Sequence, residues 1–219
     1  QHTVTPNNGM LEVKLECIRP DMEIHYTTDG SEPTATSPLY EKIVPVKEAL
    51  TLKGATFAHG RQMGKTLILP VRWNLATAKP VLGTNPTEKL LTNGIRGSLK
   101  YSDFEWCSWA DNDSVSFTID LLKPEMLNTL ILGCITNNGM AIHKPASVKV
   151  EVSDDNSNFR EAAMQSFTPE EIFREGNFIE NLPLKLGGTQ GRYVRVSAKG
   201  PGVCPASHVR PGQTSRIFF

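Results

Sequence analysis

Between residues 10 and 18 the chain reads MLEVKLECI, with Leu11, Val13, Leu15 and Cys17 alternating against Glu12, Lys14 and Glu16. A period of two puts the apolar set on one face and the charges on the other, as in an antiparallel strand with one buried side. The alternation returns in ALTLKGATFA (49–58) and KTLILPVRW (65–73), separated by the turn-rich AHGRQMG. Nowhere in this stretch do apolar residues recur every three to four positions, as a helix requires. Residues 1–75 are therefore expected to form a small β-sandwich.

The pattern breaks at NLATAKPVLGTNP (74–86), where Ala, Thr, Pro, Gly and Asn dominate and Pro80 and Pro86 stiffen the backbone. Residues 76–86 are read as a linker. Strand-length runs then resume in SVSFTIDL (114–121), TLILGCIT (129–136), SVKVEVS (147–153), RYVRVSA (192–198) and SRIFF (215–219). TPEEIF (168–173) predicts one short helical turn, capped by Thr168 with Pro169 at its first position. A second all-β unit, a sandwich or jelly roll over residues 87–219, accommodates these runs.

Charge and cysteine usage narrow the partners. With 23 acidic and 23 basic residues the formal net charge is zero, so no global field draws the chain to nucleic acid or an anionic bilayer. The 219 residues, 39% of them hydrophobic, suffice for two cores. No apolar run reaches the length of a membrane span, and no charged start with an apolar h-region is present. Cys17, Cys107, Cys134 and Cys204 are widely spaced and form no CxxC pair, which argues against a structural zinc site. Their even number leaves disulfides open, although Cys17 and Cys134 occupy alternating or apolar strand positions where a buried free thiol is expected. The start at Gln1 and the end at RIFF are read as those of a segment of a longer protein.

The densest cluster of functional side chains is IHYTTDGSEPT (24–34). His25, Asp29 and Ser31 are the residue types of an activated hydroxyl. Yet Ile24, Tyr26 and Thr28 alternate with His25 and Thr27, which predicts a strand that sends His25 and Tyr26 to opposite faces. Asp29-Gly30 then supplies a turn, and Pro33 blocks ladder pairing just beyond it. The cluster is expected to be structural. No HExxH, GxSxG or phosphate-cradling glycine loop occurs, and the acid pairs Asp154-Asp155 and Glu170-Glu171 fall in polar connectors. No catalysis is expected from this chain.

IHYTTDGSEPT with SPLY and LTLKGATFAHGRQMGKT resembles the small β-sandwich found toward the C-terminal end of bacterial chitobiases and β-N-acetylhexosaminidases. LLTNGIRGS, VKVEVSDDNSNF, GRYVRVSAKG and RIFF resemble the discoidin family, also called coagulation factor type C, which includes the family 32 carbohydrate-binding modules. CPASHVRPGQ is similar to the sugar-side loop of such modules appended to glycoside hydrolase family 20 enzymes of gut Bacteroidetes. The resemblance implies an immunoglobulin/fibronectin-like sandwich followed by a discoidin-like jelly-roll sandwich, truncated at its C-terminal end. It also implies an ancillary region of a periplasmic, outer-membrane-surface or secreted β-N-acetylhexosaminidase. The partners would be the parent catalytic domain and a glycan ending in galactose or an N-acetylhexosamine; neither nucleic acid nor membrane insertion is expected. The alternative is a structural spacer that packs on the catalytic barrel.

Neutral sugars are held by an aromatic face plus a few hydrogen bonds. The loop candidates are Trp106 and Trp109, Asn137, Asn138 and His143, and His208 and Arg210. Trp106 is read first as a core residue plugging the barrel end, Trp109 evenly as core or sugar floor, and His208 has a second reading as a loop histidine bonded to a carbonyl. Related tails carry aromatics where Ser207 and Arg216 stand, so stacking is expected to be weak, with dissociation constants of about tens of micromolar to millimolar. The family also implies a structural calcium, with carbonyls from Leu90 and Ile95 and side-chain oxygens from Asn93 and Ser98, Asn93 standing where an Asp is usual.

Overall fold

The computed structural model describes residues 1–109 and 114–219. The chain forms two compact units, Gln1–Lys79 with Thr92–Ile95, and Pro80–Leu91 with Arg96–Phe219.

The first unit holds β1 (His2–Asn7), β2 (Met10–Leu15), β3 (Glu23–Thr27), β4 (Val44–Val46), β5 (Leu50–Ala58), β6 (Arg61–Gln62) and β7 (Leu67–Val71). One antiparallel sheet runs β1-β2-β4, and in the other β5 pairs with β3, β6 and β7. Leu11, Val13 and Leu15 of β2 meet Val44, Val46, Leu52, Leu69 and Val71 in one buried cluster. The period-two pattern thus places the core as expected, but β2 stops at Leu15, leaving Cys17 half-buried and Ile18 85% exposed.

IHYTTDGSEPT forms β3 and a turn. Asp29 Oδ1 accepts hydrogen bonds from Ser31 N at 3.0 Å and Ser31 Oγ at 2.6 Å around Gly30, whose φ of +80° suits glycine. His25 is buried, stands edge-on to Phe57 and donates from Nδ1 to the Ser37 carbonyl at 2.6 Å. Asp29 therefore holds a turn, and the His25 Nδ1 proton is committed to backbone.

The segment Thr92–Ile95 is bound into the first unit by main-chain bonds from Ala78 N to Thr92 O and from Arg72 N to Gly94 O, both 2.8 Å. The Arg72 carbonyl lies 2.7 Å from where a Cβ on Gly94 would stand, so only glycine fits.

The second unit holds β8 (Val81–Leu82), β9 (Ser108–Trp109), β10 (Ser114–Asn137), β11 (Ser147–Ser153), β12 (Arg160–Ser166), the helical turn α1 (Pro169–Ile172), β13 (Asn177–Lys199) and β14 (Ile217–Phe218). A five-stranded sheet runs β12-β11-β13-β10-β8, and β14 pairs with β9. The runs 114–121 and 129–136 are parts of one 24-residue strand, β10, paired with the 23-residue β13 from Ser114↔Lys199 to Asn137↔Asn177. Register shifts at Asp120/Glu125 and Leu127/Thr129 interrupt the ladder, as bulges that bend a long strand do. α1 has the expected cap: Thr168 Oγ1 accepts from Glu171 N, and Glu171 Oε2 accepts from Thr168 N at 2.8 Å. The fold is all-β throughout, a small sandwich followed by a larger jelly-roll sandwich. Among the described residues no helix is long and apolar enough to cross a membrane.

Candidate functional site

At one end of β10 the chain passes through Asn137 into a 3-10 turn, Asn138–Met140, and reverses at Ala141, whose φ is 51°. Asn137 and Ile142 then exchange main-chain bonds of 2.8 and 3.1 Å. Arg216 N donates to Ala141 O at 2.9 Å and His143 N to Arg216 O at 3.1 Å, so residues 141–143 lie against the segment that enters β14. Cys204 closes the neighbouring loop, donating from N to Gln213 O at 2.9 Å and accepting at O from Gly212 N at 3.0 Å.

Side chains join the two loops. Arg210 Nε donates to Gly139 O at 2.9 Å, and Arg216 reaches Met140 O at 3.2 Å. His208 Nδ1 accepts from Arg210 N at 3.0 Å, so its proton sits on Nε2, which faces the Asn138 amide at 3.2 Å. The amide completes the bond when it presents its buried oxygen, which otherwise has no partner. His143 lies behind, fully buried, its ring 5.0 Å from His208 and 5.1 Å from Phe173 in edge-on contacts. Neither His143 ring nitrogen has a hydrogen-bond partner. Burial first, and the His208 ring second, push its pKa down to about 4; the Ile172 carbonyl acts in the opposite sense without reaching hydrogen-bond geometry.

The structure thus brings together Asn138, His143, His208 and Arg210, with Asn137 half-buried beside them. It separates the tryptophans from any open surface. Trp106 is buried with Ile135, Ile142 and Phe218, and Trp109 between Phe117, stacked at 6.0 Å, and Phe219. Trp106 is thus the core residue of its first reading, and Trp109, on the short strand β9, offers no floor either, because large aromatics beside a core lower their free energy by burial. His208 is likewise corrected as a direct sugar contact: it is 9% exposed and both ring nitrogens are engaged. Arg210 is exposed. Sequence reasoning passed over Phe104, 87% exposed at a φ of 67°, on the loop whose Tyr101 and Trp106 pack in the same cluster as Met140. An apolar ring in a turn among Ser, Asp and Glu was its only signal.

The acid pairs serve the backbone. Asp155 accepts from Ser157 N, Asn158 N, Asn158 Nδ2 and Ser153 Oγ, which holds its carboxyl well below the usual range. Glu171 completes the α1 cap. Of the calcium candidates, Asn93 and Ile95 belong to the first unit and Leu90 and Ser98 to the second. Asn93 Oδ1 accepts from Ile95 N at 2.9 Å, and Ser98 Oγ from Lys100 N at 3.1 Å. The set is neutral throughout, which fits calcium poorly.

No curated protein matches the chain. A CBM32 module produced by Clostridium perfringens, CpGH89CBM32-6, is 18% identical, with 67% of this chain and 98% of that one covered at a TM-score of 0.40. The C-terminal domain of a chitobiase from Bacteroides fragilis is 16% identical, with 56% and 72% covered at 0.32. A fucose-binding module of Streptococcus pneumoniae is 18% identical, with 67% and 97% covered at 0.38. At such scores the fold rests on the sheet topology itself. Residues 6–67 match the chitobiase/beta-hexosaminidase C-terminal domain and residues 76–209 the F5/8 type C domain, both modules without catalytic residues of their own. The second match spans more than half of the sequence, and the chain therefore belongs to the F5/8 type C domain family, here preceded by a chitobiase/beta-hexosaminidase C-terminal domain.

Proposed function

We propose that the second unit is a weak carbohydrate-binding module that takes the terminal galactose or N-acetylhexosamine of a glycan where residues 137–143 and 204–216 meet. The observation that carries this reading is the bond from Arg210 Nε to Gly139 O, which leaves an exposed guanidinium seated across two joined loops. Its remaining N–H groups and the Asn137 amide are the donors for ring hydroxyls, with Phe104 the stacking face. Asn138, His143 and His208 position that surface from beneath. The parent would be a secreted, outer-membrane-surface or periplasmic β-N-acetylhexosaminidase, whose turnover gains from a raised local concentration of glycan. A structural spacer is the second reading, favoured by the burial of both Trp106 and Trp109.

A glycan array followed by titration of any hit separates the two. Binding in the range of about tens of micromolar to millimolar is expected, weakened by about 1–2 kcal/mol in Arg210→Ala, the value of one or two hydrogen bonds to a charged group. Absence of binding to galactose, N-acetylgalactosamine, N-acetylglucosamine and their disaccharides at millimolar concentration would leave the spacer.

A further inference from the structure

His143, Cys204 and His208 are all buried, and their ring-nitrogen and sulfur atoms lie within 4.8 Å of one another. We propose that these three side chains form a binding site for a divalent metal ion of the zinc type. The site neither depends on sugar binding nor shares the neutral oxygen donors discussed for calcium.

The donor set selects the ion. Two imidazoles and one thiol suit zinc or its substitute cobalt, whereas calcium and magnesium require oxygens. His143 gives the second reason. Its two ring nitrogens are fully buried without a hydrogen-bond partner, a condition that is uncommon in folded chains. A metal ion supplies the missing partner. The Cys204 thiol, 3.4 Å from Ser215 Oγ, gives its proton to solvent as the metal–sulfur bond forms. Water fills the fourth position.

Closure has a defined cost in the loop. Zinc–nitrogen and zinc–sulfur bonds of about 2.0–2.3 Å require donors within about 3.3–3.7 Å of one another in a tetrahedron, so the three groups draw together by about 1 Å. His208 Nδ1 now accepts from Arg210 N. If the metal takes Nδ1 it displaces that N–H directly; if it takes Nε2, the ring proton moves to Nδ1 and displaces it as well. The Arg210 amide thus reports on binding through either nitrogen. The CxxC spacing rule does not detect this set because it holds a single cysteine, with His208 four residues on in the same loop and His143 from a loop far away in sequence.

The test uses the full chain, reduced and stripped with a chelator, then given zinc or cobalt alone. One zinc per chain should survive gel filtration, the cobalt form should show thiolate-to-cobalt charge transfer with tetrahedral d–d bands, and the Arg210 amide resonance should move. Cys204→Ser should abolish the charge-transfer band and weaken zinc by at least about tenfold, while Cys17→Ser changes neither. His208→Gln, outside the sheets, should weaken zinc to a similar extent with circular dichroism unchanged, and it remains informative if Cys204→Ser does not fold. Loss of zinc on gel filtration, or zinc affinity unaltered in a folded variant of either residue, would overturn the site.

Discussion

Trp106 lies over Gly97, where a Cβ would fall 2.3 Å from the indole, and its Nε1 donates to the Ser98 carbonyl at 2.9 Å. Truncation would open a cavity among Ile135, Ile142 and Phe218 and leave that carbonyl without its donor. Trp106→Ala is expected to cost about 3–5 kcal/mol by denaturant titration, as large aromatic truncations in cores do. His208→Ala, which removes two hydrogen bonds and the edge-on contacts with His143 and Phe173 but no apolar core residue, should cost no more than about 1–2 kcal/mol. Losses of equal size would mean that the indole is not core. The contrast explains what was legible at this scale. Residue type in the loops pointed to polar chemistry near Asn138, His143, His208 and Arg210, and the structure gathers them. Whether an aromatic faces inward was not legible, because residues 98–107 have no periodicity from which a face could be read.

At the scale of elements, alternation placed β2, β5, β7 and β11 correctly because each buries one face. β1 was missed although its signal was present: Asn8-Gly9, with φ of 46° and 92°, forms the two-residue turn that joins it to β2. β12 was missed because REAAMQS lies at the sheet edge and buries little. The first half of β13 was missed although Leu182, Leu184 and Leu186 alternate with exposed Pro183 and Lys185, because a proline inside the run reads as a strand breaker. The TNGI stretch shows a different limit, since its local turn chemistry was readable but its attachment to the first unit through Ala78 and Arg72 was not. That placement bears on calcium. Asn93 is buried with its Oδ1 held by Ile95 N, and none of Leu90, Asn93, Ile95 and Ser98 brings a carboxylate. Calcium is therefore expected to raise the melting temperature only slightly, whereas a shift above about 5 °C, the scale of 1 kcal/mol in a domain of this size, would reveal an acidic ligand elsewhere.

The four thiols give a test that spans the molecule. The order of two β modules was legible from motifs and alternation, but the state of each cysteine depends on how the surrounding strands and loops close over it. Cys17 lies beyond the end of β2 and is half-buried; Cys107, Cys134 and Cys204 are buried, and all four are free. Burial is the first cause pushing the Cys107 and Cys134 thiols up to about 12. Because the thiolate is the nucleophile, at pH 9 only about one molecule in a thousand would present either as a reactive group, and burial bars the reagent from that fraction. Cys204 is shielded from the reagent by burial. Alkylation of the native, reduced chain should therefore modify one thiol, Cys17, with peptide mass spectrometry locating it. Raising the pH from about 7 to 9 should not recruit Cys107 or Cys134, whose thiols burial holds up at about 12. In denaturant all four should react. A second thiol modified at a comparable rate in the native chain would mean that the core around it opens on the labelling timescale, and would place the weak point of the fold at that cysteine.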